Sequence, residues 1–194
     1  AVAVASDSAL TVSRFSCPVP WTDDAPTGGI SGLLNGYYPV AATVSSGSTM
    51  VMVGAPTGNS TPISAGDLLL ISRWDAATGP SATDYEYVVA ASTDVDGRVR
   101  VSGSGPGGGV VADYPVSTDA ASPSAGGAQL IRVPTYGDTH LDGTVVGQAW
   151  NGSTGGVVAF DVAGILAEVL VWLDDRVVQS LVISFAMMRD SSGG

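Results

Sequence analysis

This sequence predicts an all-β domain, an antiparallel β-sandwich or jelly-roll-like fold with long glycine-rich loops. Three observations carry that expectation. The apolar runs are short, rich in valine and isoleucine, and separated by Gly, Asp, Ser or Pro clusters, which is the punctuation of strands rather than helices. The 194 residues include 26 Gly and 11 Pro, yet 45% are hydrophobic and 13% charged, so the chain is turn-rich and still able to fill a core. Between two valine-rich segments sits Asp96-Gly97, which supplies the positive φ that a tight primed hairpin turn requires.

Taken along the chain, residues 1–5 and 10–15 alternate with period two and read as terminal strands. Residues 38–44, 49–53 and 67–72 follow, each bounded by Gly, Ser or Pro. Residues 85–91 and 98–101 are the two arms of the Asp96-Gly97 hairpin, and in the second arm Arg98 and Arg100 alternate with Val99 and Val101, leaving one wet and one buried face. Residues 129–133, 141–148 and 157–162 complete ten candidate strands. The glycine-rich stretches 102–109 and 122–127 read as exposed loops, since strand-like segments resume on both sides.

The apolar run 165–188 is interrupted by Glu168, Asp174, Asp175, Arg176 and Gln179. It therefore fails the requirement of about 20 consecutive apolar residues for a membrane span. Two readings of it stand. Leu166, Val169, Leu170, Leu173, Val177 and Leu181 keep helical spacing, whereas the valine and isoleucine content favours a hairpin of 168–173 and 176–185 folded at Asp174-Asp175. Two domain units are expected: a terminal strand segment, 1–15, exchanged between subunits, and a single β-rich domain, 16–194. A chain of this size buries roughly 70% of its unfolded surface, so it needs no covalent staple.

Charge narrows the partners. With 18 Asp and Glu against seven basic residues, the formal charge is −11, which argues against nucleic acid and anionic membranes as ligands. All seven basic residues are arginine, so Schiff-base, P-loop and isopeptide lysine chemistry are excluded. Cys17 is the single cysteine and reads as a small buried hydrophobe without a disulfide partner. The Ala-Val-Ala start and the acidic, lysine-free, Ser/Thr/Gly-rich composition suggest a secreted or cell-surface protein after signal-peptide removal.

Chemistry-bearing motifs are few. His140 is the only histidine; Asp138 and Asp142 flank it, but no nucleophile elbow accompanies them, so it reads as a surface-turn residue and no catalytic residue is expected. Asp94 and Asp96 resemble the centre of a calcium loop and are the candidate ion-binding pair. The third oxygen ligand and the distal glutamate are missing, so a hairpin turn explains the same residues and no metal or other cofactor is required. Asp23-Asp24 and Asp174-Asp175 are adjacent carboxylates, which point to opposite faces of a strand and read as solvated turns. The run 103–109 lacks a following helix or lysine and is a loop rather than a phosphate cradle. Asn59 and Asn151 stand in N-glycan acceptor patterns. Among aromatics that lie near turns, Trp74 and Trp150 are the candidate glycan platform, with core and rim packing as the alternative.

One stretch carries more than composition. Gln129-Leu130-Ile131-Arg132-Val133-Pro134-Thr135-Tyr136, followed by Trp150-Asn151-Gly152-Ser153-Thr154-Gly155-Gly156 and the apolar residues to Gly164, resembles a module of large exported bacterial surface proteins of adhesin type, notably myxobacterial ones. Residues 65–71 and 84–87 look like upstream parts of the same module, so the similarity spans residues 38–164. The resemblance implies an exported, β-rich piece without an enzymatic role. Past Gly164 the chain departs from the short glycine-rich repeats of such proteins, which raises the expectation of a self-contained subunit.

Period-two segments at both ends suggest assembly. Val2, Val4, Leu10, Val12 and Phe15 at one end, and Val178, Leu181 and Ile183 at the other, belong to strands able to pair with a neighbour's open edge. The expected role is a non-catalytic structural subunit of an extracellular filament or adhesin layer, a homopolymer built by strand donation or edge pairing. The alternative is a monomeric carbohydrate- or calcium-dependent adhesion module that contacts glycans or host and cell surfaces.

Overall fold

The computed structural model describes residues 9–14, 28–75, 79–93, 96–116, 126–162, 166–167 and 180–185, and among them the protein is all-β with no α-helix. The strands are β1 (Ala9–Arg14), β2 (Gly28–Leu33), β3 (Gly36–Pro39), β4 (Met50–Met52), β5 (Thr57–Gly58), β6 (Leu68–Asp75), β7 (Gly79–Thr93), β8 (Arg98–Ser102), β9 (Gly127–Val133), β10 (Thr135–Tyr136), β11 (Thr139–Val146), β12 (Val157–Val162), β13 (Leu166–Ala167) and β14 (Ser180–Phe185).

Strands β3 to β9 form one antiparallel sheet in the order β4-β8-β7-β6-β9-β3-β5. Its β7–β8 connection is the hairpin that Asp96-Gly97 predicts: β7 ends at Thr93, β8 begins at Arg98, and Gly97 has φ +72°. The two smaller sheets, β1-β14-β12-β10 and β13-β11-β2, pair in parallel, an arrangement absent from the purely antiparallel expectation. From β10 onward, consecutive strands alternate between these two sheets, so β10, β12 and β14 line up in one while β11 and β13 line up in the other. Parallel neighbours require a crossover between them, and each turn through the opposite sheet supplies it. The seven-stranded sheet is thus inserted between β2 and β10 of a parallel-strand coil.

The antiparallel sheet has apolar residues on both faces because its strands carry them at alternate positions. Leu69, Ile71, Val88, Ala90, Val99, Val101, Leu130 and Val51 point to one side, where Val40, Val44, Ile63, Val110 and Tyr114 close over them. Leu68, Leu70, Tyr37, Tyr87, Ile131 and Val133 point to the other and pack against Val157 and Ala159 of β12. Strand β12 is buried at all six positions, as expected of a strand covered on both faces. On the first side, the Glu86 carboxylate holds the loop at 110–114 in place, accepting hydrogen bonds from the Val111 and Ala112 amides and the Tyr114 hydroxyl at 2.8–3.0 Å. The glycine-rich run 103–109 folds on itself around a 3₁₀ turn at Pro106–Gly108, and the amides of Gly103, Gly105, Gly108 and Gly109 donate to carbonyls within the loop. No anion-binding array of amides is left there.

The terminal segments find each other. Strand β1 pairs in parallel with β14, Leu10 opposite Leu181 and Val12 opposite Ile183, and the other edge of β14 pairs with β12. Both edges of β14 are therefore occupied within the chain, by β1 and β12, and residues 180–185 are strand rather than helix. The pairing that a donated strand would make with a neighbour is made here inside one subunit. Val2, Val4, Phe15, Cys17, Asp23-Asp24, Asp174-Asp175 and Val178 lie outside the described residues.

Candidate functional site

Trp74 and Trp150, 76 positions apart in the chain, meet edge to face with ring centroids 5.4 Å apart at an interplanar angle of 60°. Trp74 stands near the end of β6, on the same sheet face as Leu68 and Leu70, and pairs with Gly127 across the β6–β9 ladder. The indole lies directly on the Gly127 backbone, since a Cβ at that position would fall 2.4 Å from the ring. Only a residue without a side chain leaves room there. The Trp74 indole nitrogen is buried and has no hydrogen-bond acceptor among the described residues. A buried indole N–H normally has a partner, so this one is a donor left over by the fold. Both rings are partly exposed.

Trp150 is held by the loop at 148–156. Asn151 organises it: its Oδ1 accepts from the amides of Ser153 and Thr154 at 3.0 and 2.8 Å, and its Nδ2 donates to Thr154 Oγ1. The Thr154 and Thr57 hydroxyls meet at 3.0 Å, and Gln148 Nε2 donates to Thr57 Oγ1 at 2.9 Å, which ties the loop to β5. From β9, Gln129 is fully buried and forms a two-point bond with Gly155, donating to its carbonyl at 3.0 Å and accepting from its amide at 2.9 Å. Tyr37 donates to Val157 O at 2.5 Å and accepts from the Gln148 amide; burial pushes its phenol far above the usual range, so it stays a donor.

Gly155 is the tightest point of the loop. Its φ is +97°, and a Cβ there would lie 2.5 Å from Ala149 O. Gly155→Ala is expected to cost about 2–3 kcal/mol in urea unfolding, since strain at positive φ adds to a backbone clash. Its native-state Trp fluorescence should shift to the red as Trp150 loosens; an unfolding midpoint equal to the wild type would contradict this account.

The remaining candidates are scattered. Asn59 is half-buried, bonds Leu33 O through Nδ2 at 2.8 Å and accepts from the Thr61 amide, and Asn151 is exposed with its amide spent as described. Asp96 is exposed at the β7–β8 turn, and Asp94 lies outside the described residues. No group of three or more His, Cys, Asp or Glu residues suited to a metal ion occurs among the described residues. His140 Nε2 lies 2.8 Å from Asp142 Oδ1 on the exposed side of β11, with both side chains about half in solvent or more, at 49% and 62%. It is a strand residue rather than a turn residue, and no serine or threonine hydroxyl bonds it among the described residues. The sequence marks Trp74 and Trp150 together as a candidate platform, but not the docking roles of Asn35, Gln129 and Tyr37, whose polar groups hold the loop and β12 on the large sheet. For Gln129 and Tyr37 the signal is a polar group at an inward-facing strand position; Asn35, between β2 and β3, carries none.

No protein-family model matches the chain, and no curated protein matches it. Among solved structures it is similar to the Gp54 tailspike of Acinetobacter baumannii bacteriophage AP22 in complex with A. baumannii capsular saccharide, with 16% sequence identity and a TM-score of 0.33 over 82% of this chain and 20% of that one. The chain spans about one fifth of that protein's length.

Proposed function

We propose that this chain is a non-catalytic glycan-binding module of an exported surface protein, with the Trp74–Trp150 pair as its saccharide platform. One observation carries the reading: two partly exposed indoles remote in sequence converge at the rim of the sheet-on-sheet core. Indole faces take up the C–H faces of sugar rings. The adhesin-type resemblance of residues 38–164 covers both tryptophans and agrees with a cell-surface location. The platform needs neither a cofactor nor calcium, and its reading contains no nucleophile or general base. This reading does not draw on strand donation by residues 180–185, because both edges of β14 are paired, by β1 and β12.

An oligosaccharide array, probed with and without chelator, tests the proposal. The wild type is expected to bind in both conditions, and Trp150→Ala should weaken binding by about tenfold or more, the scale of one lost stacking contact with its displaced water. Trp150→Phe should retain most of it. Binding that is unchanged in both Trp74→Ala and Trp150→Ala, or an array without any hit, overturns the platform.

A further inference from the structure

The large sheet is covered unequally. One face is closed along its width by residues 40–63 and 110–114, whereas β12 covers the other only over β3, β9, β6 and the adjoining part of β7. The half of that second face built by β4 and β8 is open. Val51, Val99 and Val101 turn into the core, so their neighbours Met50, Met52, Arg98, Arg100 and Ser102 turn outward. The register places Met50 opposite Arg100 and Met52 opposite Arg98, giving two methionine–arginine pairs side by side on one flat surface. Met50 and Met52 are 37% and 42% exposed, among the few large apolar side chains that are. Neither guanidinium has an ion-pair partner among the described residues, whereas Arg132, on β9, is paired with Asp67 at 2.8 Å.

Two guanidinium groups without an ion-pair partner among the described residues, beside two exposed thioethers, form a cationic, partly apolar shelf on a chain of net charge −11. An anion that reaches this acidic molecule at all is concentrated where these cations stand. Residues i and i+2 of a strand are about 7 Å apart, so Arg98 and Arg100 match a ligand with sparse, separated carboxylates better than the dense charge of a polyphosphate. Guanidinium pairs with carboxylate through two parallel hydrogen bonds. Methionine packs flexibly against apolar ring faces. We infer that the β4–β8 shelf binds an acidic, carboxylate-bearing polysaccharide, with Arg98 and Arg100 on the carboxylates and Met50 and Met52 under the sugar rings. This inference rests on the glycan reading above and names its chemical class.

The test uses the full chain and three probes by titration calorimetry: polygalacturonate, neutral dextran, and poly-L-glutamate, which carries carboxylates without sugar. Polygalacturonate is expected to bind, with an affinity that falls as salt rises from 50 to 300 mM, and dextran and polyglutamate to bind at least tenfold more weakly. The double variant R98Q/R100Q should lose about tenfold or more in polygalacturonate affinity, the loss expected on removing charge-assisted hydrogen bonds. Its thermal midpoint should stay at the wild-type value because both side chains are solvent-facing. Failure of polygalacturonate to bind, unchanged affinity in R98Q/R100Q, or equal binding of polyglutamate each overturns the shelf; the last assigns the face to acidic peptides instead. Trp150→Ala, measured alongside, separates this inference from the platform. Loss in the tryptophan variant alone overturns the shelf and keeps the platform, loss in the arginine variant alone supports the shelf without the platform, and loss in both supports one saccharide reaching both.

Discussion

Asn35→Leu is expected to lower the free energy of unfolding by about 3–5 kcal/mol, the sum of several orphaned buried groups, enough to unfold an ordinary domain at modest urea. Asn35 is fully buried between β2 and β3. Its Nδ2 donates to Arg132 O at 2.9 Å and to Ala159 O at 2.6 Å, and its Oδ1 accepts from the Ala159 amide at 3.0 Å. One side chain thus clamps β12 of the parallel coil to β9 of the antiparallel sheet. Leucine has the same branched heavy-atom skeleton but cannot hydrogen-bond, so an amide and two carbonyls lose their partner in a dry interior, where each unmade bond costs about 1–3 kcal/mol. Asn35→Asp tests the same site with the opposite bias, because a carboxylate accepts from Ala159 but cannot donate. A urea midpoint for Asn35→Leu within error of the wild type would refute the clamp. The effect should reach the Trp74–Trp150 pair as well, since β12 is continuous with the loop that carries Trp150.

The second large effect is a pH dependence centred on Asp161. This residue lies on β12, on the side of Val157 and Ala159, is 3% exposed, and has one carboxylate oxygen without any hydrogen-bond partner among the described residues. Burial raises its pKa to about 6, an effect only partly opposed by a hydrogen bond from the Val162 amide. In the unfolded chain an aspartate titrates near 3.9. The folded state therefore holds its proton more tightly than the unfolded one. That contribution to stability is fully present below about pH 4 and is lost as pH rises through about 6. Acidification from pH 7.5 to 4.5 should stabilise the wild type relative to Asp161→Asn by about 2 kcal/mol, the part of the linkage value that falls in this interval. Parallel stability–pH curves for the two proteins, measured by urea denaturation, would remove Asp161 from the account. The sign is unusual, because most acidic surfaces lose stability in acid.

Which elements could be read from the chain follows from where their signal resides. Residues 157–162 emerge with the expected bounds because five apolar residues, interrupted only by Asp161, follow directly on Gly155-Gly156 and admit little else. The β7–β8 hairpin is equally local: the turn needs a positive φ, and Gly97 supplies it. Strand β2 was missed because Gly-Gly-Ile-Ser-Gly-Leu has low strand propensity and forms only through its parallel pairing with β11. Strand β7 begins at Gly79, six residues earlier than expected, because β6 pairs with it as far as Asp75 opposite Gly79. The 148–156 loop was recognised as a distinctive motif, yet its function as a clasp for Trp150 depends on Gln129 and Thr57, which no spacing rule links to it.

The order of residues was sufficient for the all-β class, most strand positions, the acidic net charge, and the two tryptophans worth watching. Those properties arise from alternation, turn chemistry and composition, which act over a few residues. Partner choice was beyond it. That β1 takes β14, that seven strands are inserted into a parallel coil, that Trp74 meets Trp150, and that Arg98 and Arg100 stand opposite Met52 and Met50 are outcomes of long-range pairing. Backbone hydrogen-bonding groups are the same in every strand, so which edges join is selected by the burial of whole faces rather than by any local pattern.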